Sequence, residues 1–207
     1  ATLLDHVREP CAILAGDLCL QWTDELYATS GLDPVGLAAA RGTFDRMRTQ
    51  LMGGQFLDLL ESARGWAGLD TAERLASARR VIRFKSAKYT IEAPVLVGAL
   101  AGGVPEAALP ALSDYGLALG EAFQLRDDLL GVFGSPQQTG KPAGDDLREG
   151  KRTVLLAYAL DAADAEATET IGALVGRADL GTEGVEQLRA ILARGGAVDR
   201  VEADITS

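Results

Sequence analysis

"FQLRDDLLGVFG", residues 123–134, sets two adjacent aspartates, Asp127 and Asp128, into a run of Leu, Val and Phe whose spacing predicts a helix. A carboxylate buried in apolar surroundings is costly, so something must balance the pair. At 100° per residue, Gly116, Gly120, Gln124, Asp127 and Gly131 fall within an arc of about 80° on one side of that helix. Asp128 points about 100° away from Asp127. Three glycines inside a helix cost about 1 kcal/mol each relative to alanine, which requires a reason: close contact with another helix, or space left for something else. Polar tips above a glycine floor favour a lined cavity. A divalent cation holds a carboxylate ionised in such a place, and Mg²⁺ suits carboxylate oxygens that work with phosphate. A solvated face is the plain alternative for two aspartates in a row.

Outward from this stretch, apolar residues recur every three or four positions along 12–28, 35–60, 72–89, 112–133 and 154–174, and these segments predict long helices. Between them stand "SGLDPVG", "RGWAGLD", "AGGVPEAALP", "GSPQQTGKPAGDD" and "ARGGAV", rich in the Gly, Pro and Asp that stop helices. Hydrophobic residues make up 47 % of the chain and aromatics only 5 %, a balance that suits helices better than sheets, so the expected fold class is all-α. With 207 residues and no repeat or long linker, the expectation is one domain.

A formal charge of −10 argues against a nucleic-acid binder, which presents a basic face to phosphates. No apolar run reaches the roughly 20 residues that span a bilayer, and the start lacks a signal-peptide pattern. Cys11 and Cys19 lie about 12 Å apart along one predicted helix, too far to bridge. A reduced, cytoplasmic setting is therefore expected.

Two further segments carry chemistry. In "LMGGQFLDLLE", residues 51–61, Leu51, Gly54, Gln55 and Asp58 share one helical side, either as a packing seam or as a second polar lining. In "ARRVIRFKSAKYT", residues 78–90, five cations reverse the charge of an acidic chain, and Lys85 and Lys88 can share a face. The irregular stretch 134–146 contains Lys141 and is followed by Lys151, a pattern that suggests a working loop in contact with an anion. Together these pieces describe diphosphate recognition through a metal. Carboxylates hold Mg²⁺, the metal holds phosphate oxygens, and lysines neutralise the remaining charge.

On these residues the chain resembles the trans-type polyprenyl diphosphate synthases, which make farnesyl, geranylgeranyl and longer isoprenyl diphosphates. Residues 123–156, "FQLRDDLLGVFGSPQQTGKPAGDDLREGKRTVLL", are similar to the family's second aspartate-rich motif and the loop after it. "FKSAKYTIEAPVLVGALAGG" resembles its Lys-Thr segment with Ser86 in the Thr place, "GGQFLDL" its Gly-Gln-x-x-Asp helix, and "AILAGDLCL" the helix after the first aspartate-rich motif.

The resemblance implies an isoprenoid-synthase-type helical bundle around a central cavity, and a homodimer. It implies Mg²⁺-dependent condensation of isopentenyl diphosphate with an allylic prenyl diphosphate. By the same resemblance Asp127 and Lys85 are catalytic, and Asp127, Asp128 and Asp5 are metal ligands. Lys85, Ser86, Gln124, Lys141, Lys151, Gln55 and Asp58 then line the substrate site. Gly131 departs from the family pattern by standing where a third aspartate is usual, and His6 stands where a second aspartate of the first motif is expected. Residues 1–207 are expected to form one synthase domain without the family's N-terminal helices, part of the first aspartate-rich region and the C-terminal end. Segments omitted from the sequence near Val7 or Arg8 are the favoured explanation. The rival readings are a non-catalytic homologue that regulates a partner synthase, and a terpene cyclase.

Overall fold

Helices account for most of the computed structural model, which describes residues 3–140 and 142–207, with the backbone alone for residues 3–6, 138 and 139. In chain order they are α1 (Leu3–Ala28), α2 (Pro34–Arg64), α3 (Thr71–Val81), a π-helical segment (Ile82–Glu92), α4 (Ala93–Ala101), α5 (Leu109–Phe133), and the short α6 (Pro136–Thr139) and α7 (Asp145–Glu149). Then follow α8 (Val154–Ala162), α9 (Ala165–Leu174), α10 (Thr182–Arg194) and α11 (Ala197–Thr206). The all-α expectation holds: no strand occurs among the described residues.

Starts and stops follow local chemistry. Asp33 caps α2 by accepting from the Val35 and Gly36 amides, with Pro34 in the first helical position, where its missing N–H is harmless. Asp70 and Glu73 form a reciprocal capping box on α3. The predicted helix 154–174 is in fact two helices. Asp164 accepts from the Ala167 amide and starts α9, so its local hydrogen bond wins over a continuous apolar period. The helices α10 and α11 were not among the predicted segments, although Val185, Leu188 and Leu192, all buried on one side of α10, carry the period.

The core forms around α8, whose residues from Val154 to Ala159 are all buried. A helix apolar on every side must be enclosed, and α3, α5, α10 and α11 do so. The π-helical segment lies between α2 and α5, and glycines decide how near it comes. A Cβ on Gly116 would sit 2.6 Å from Glu92 Cα, and one on Gly120 2.6 Å from Ala87 Cα. One on Gly54 would collide with the backbone of Phe84 and Lys85. The glycine stripe of α5 is therefore a seam of backbone contact along much of its length, and the floor of a cavity only near Gln124. Pro94 withholds an N–H from the helical ladder where the wide turns give way to α4.

Apolar residues on two helices are uncovered among the described residues. On α1, Leu14, Trp22 and Leu26 are 65 %, 51 % and 70 % exposed, and on α2 Met52, Phe56 and Leu59 are also exposed.

Candidate active site

The seam brings Lys85 and Ser86, on the π-helical segment, against Gln124 on α5. Ser86 Oγ donates to Gln124 Oε1 at 2.5 Å. This bond sets the amide's direction, because the oxygen is engaged and the NH₂ must face the other way. That NH₂ donates to Asp128 Oδ1 at 2.8 Å and to Asp127 Oδ2 at 3.3 Å. From α2, Asp58 accepts from Lys85 Nζ at 2.5 Å.

These residues line one cavity of about 240 Å³, together with Lys151, Arg152 and Thr153 at the entrance to α8. The structure thus gathers Asp127, Asp128, Lys85, Ser86, Gln124, Asp58 and Lys151 from four separate elements. Gln55 does not join them: it is exposed and outside the lining. Lys88 turns away to the buried Glu92, at 2.8 Å. Lys141 and the side chain of Asp5 lie outside the described residues.

The two aspartates differ sharply. Asp127 is exposed, whereas Asp128 is 5 % exposed. Burial pushes the Asp128 carboxyl up to about 7; the Gln124 hydrogen bond opposes the shift, the charges of Asp146 and Asp127 add to it, and Lys151 opposes it. The accessible carboxylate is that of Asp127.

Asp146 was not predicted as a site residue, yet its carboxylate, 5 % exposed, lies against Gly131 where a Cβ would overlap it. Gly131, with no side chain, thus leaves room for a carboxylate from α7. Lys151 Nζ donates to Asp146 and pairs with Glu149 at 3.3 Å. Burial works against the Lys151 charge, but the Asp146 hydrogen bond and the charges of both carboxylates hold its ammonium above the usual lysine range. Arg152, also unpredicted, has no carboxylate partner among the described residues, and burial lowers its pKa. Its signal was slight, one more cation beside Lys151.

No three His, Cys, Asp or Glu side chains among the described residues converge as an all-protein metal cage. Mg²⁺ does not need one. It keeps several waters and takes one or two carboxylates plus substrate phosphates. An exposed Asp127 carboxylate, oriented by Gln124 at the edge of a roomy polar cavity, fits such a partial site.

The polyprenyl synthetase family model matches residues 1–192. The geranylfarnesyl diphosphate synthase of Aeropyrum pernix is 33 % identical over 196 residues, 93 % of this chain and 58 % of its own. The (2E,6E)-farnesyl diphosphate synthase of Mycobacterium bovis is 37 % identical over 143 residues, 69 % of this chain and 37 % of its own. A crystal structure of geranylgeranyl pyrophosphate synthase from Corynebacterium glutamicum, complexed with isoprenyl diphosphate and magnesium, superposes with a TM-score of 0.91 at 42 % identity. It is covered over 57 % of its length by the whole of this chain, which spans a little over half of the longest-matched relatives. The family match over nearly the entire sequence, and relatives above 30 % identity along most of it, make this chain a member of the polyprenyl synthetase family.

Proposed function

We propose that the protein is a Mg²⁺-dependent prenyltransferase that condenses isopentenyl diphosphate with an allylic prenyl diphosphate to give a longer trans-polyprenyl diphosphate. One observation carries the reading: an exposed Asp127, Gln124, Lys85 and Lys151 line the same cavity. The Corynebacterium relative, whose complex contains isoprenyl diphosphate and magnesium, supports it.

Asp127 is the residue that would hold the metal, steadied by the Gln124 amide, which Ser86 in turn keeps facing the aspartates. Bound there, Mg²⁺ supplies Lewis-acid charge to the leaving diphosphate. Lys85 and Lys151 sit beside carboxylates that fix their positions, and they stabilise negative charge as the allylic carbon–oxygen bond breaks. Such preorganised charge costs no reorganisation at the moment of reaction. Asp128 is held by Gln124 and supports the geometry from below. The carbocation is captured by the isopentenyl double bond, and the adduct then loses a proton. This chemistry needs no side-chain nucleophile.

A homodimer and a cytoplasmic setting belong to the same proposal. The uncovered apolar residues of α1 and α2 are of the kind that mark a protein interface, and both cysteines are free thiols. Among the described residues, no helix is long and apolar enough to cross a membrane.

The test incubates the full chain with isopentenyl diphosphate, a panel of allylic primers and Mg²⁺, and weighs the products. Mass increments of one isoprenyl unit are expected. Soluble, folded protein that extends none of the primers would favour the regulatory-subunit reading instead.

A further inference from the structure

The charged groups around the cavity do not all balance one another. Lys85 is paired with Asp58, and Lys151 with Asp146 and Glu149. Asp127 takes part in no ion pair among the described residues, and neither does Arg152. The Arg152 Nε is fully buried and has no hydrogen-bond partner among the described residues. A desolvated, unsatisfied donor costs more than an ordinary hydrogen bond returns; Arg74 Nε shares this condition, but of the two only Arg152 lines the cavity.

Its surroundings do not explain it as scaffolding. An Arg152 Nη lies 3.8 Å from where Gly65 would carry a Cβ, beside the C-terminal end of α2. A structural arginine there would donate to the last carbonyls of that helix, and among the described residues none of them accepts from it. On its other side, Thr153 caps α8 by accepting from the Leu156 amide at 3.2 Å, and Thr153 also lines the cavity. The positive end of α8 therefore opens on the same cavity that Arg152 lines, which favours an anion there. The remaining charged groups lining the space are Asp58, Lys85, Asp127, Asp128 and Lys151.

We infer that Arg152 is an additional contact for the diphosphate, a forked donor to phosphate oxygens that the carboxylate-bound lysines leave unneutralised. The inference rests on the reading of this cavity as a metal-diphosphate site. A carboxylate and a guanidinium that line one cavity without ion pairs among the described residues suit a Mg²⁺-diphosphate complex, which carries both signs of charge. The planar fork matches phosphate geometry in a way that an ammonium does not.

The test is calorimetric titration of the full chain with inorganic pyrophosphate in the presence of Mg²⁺, with inorganic phosphate as a second arm. Wild type, R152Q and R152K are compared, and each is also melted. R152Q should bind pyrophosphate about 10- to 100-fold more weakly, the loss of one charge-assisted contact. R152K should recover part of that loss, and the inorganic phosphate arm should change less than the pyrophosphate arm. The melting temperature of R152Q should hold or rise, because a buried unpartnered donor has been removed, whereas a scaffolding arginine would lower it. Equal pyrophosphate affinity in wild type and R152Q overturns this inference and leaves the site reading intact. No pyrophosphate binding by wild type overturns the site reading, and this inference with it. If R152Q fails to fold, R152K decides: a folded R152K that binds as tightly as wild type assigns the arginine to structure and overturns the inference.

Discussion

Replacing Gly54 by alanine tests whether the seam between α2 and the π-helical segment positions Lys85. The new Cβ would lie 2.6 Å from Phe84 O and would overlap Phe84 C and Lys85 N, where ordinary contact begins at 3.4 Å. The obstacle is backbone, with no flexible end to swing aside, so the two segments must part by about 1 Å. Overpacking of this kind costs about 1–3 kcal/mol, against a helix-propensity gain of about 1 kcal/mol from removing a glycine. The net expectation is a loss of up to about 2 kcal/mol. Because one of the displaced atoms is the Lys85 backbone nitrogen, its 2.5 Å bond to Asp58 is disturbed as well, and a misplacement of about 1 Å near reacting groups can lower turnover about 100-fold. The neighbouring Gly53 is the control, since a Cβ there meets nothing within 4 Å. Gly53→Ala should gain up to about 1 kcal/mol and leave turnover unchanged. Urea unfolding followed by circular dichroism, and prenyl transfer in the full chain, measure the two effects. If Gly54→Ala matches Gly53→Ala in both assays, the seam does not set the position of Lys85.

Asp127→Ala should nearly abolish Mg²⁺-dependent elongation and, because the side chain is exposed, shift stability by no more than about 0.5 kcal/mol; normal turnover would count decisively against the assignment. Gly131→Ala should cost about 1–3 kcal/mol, because its methyl group lands on the buried Asp146 carboxylate, and an unchanged unfolding midpoint would refute that packing. For Asp128 the pKa is raised, from 3.8 unfolded to about 7 folded. The unfolded chain then binds fewer protons between these values, so this group's contribution lowers stability as pH rises from about 4 to about 7 and levels off above. Asp128→Asn should remove that slope, with a ceiling of about 4 kcal/mol, measured by unfolding without metal at pH 4.5 and 8. A wild-type slope retained in the variant would assign the pH dependence to other groups.

Local pattern was enough for the helical class, for some ends of the long helices and for the face of α5 that carries Gln124 and Asp127, since these depend on spacing and capping within a few residues. The resemblance of residues 123–156 and 84–103 was enough for the family. Tertiary structure alone decided what each face meets. The glycines at 116 and 120 could have floored a cavity and instead admit the backbone of the π-helical segment. Gly131 looked like a lost carboxylate, yet Asp146 arrives from 15 positions further along to fill its place. Gln55 had the right residue type and local pattern, and the orientation of α2 leaves it in solvent. Asp127 and Asp128 are neighbours of identical chemistry, separated by one helical step that puts one in water and the other under the bundle. A side chain's direction from its own helix is a local property and can be read from periodicity. Its partner, burial and charge state depend on the packing of distant segments, and no single segment encodes that.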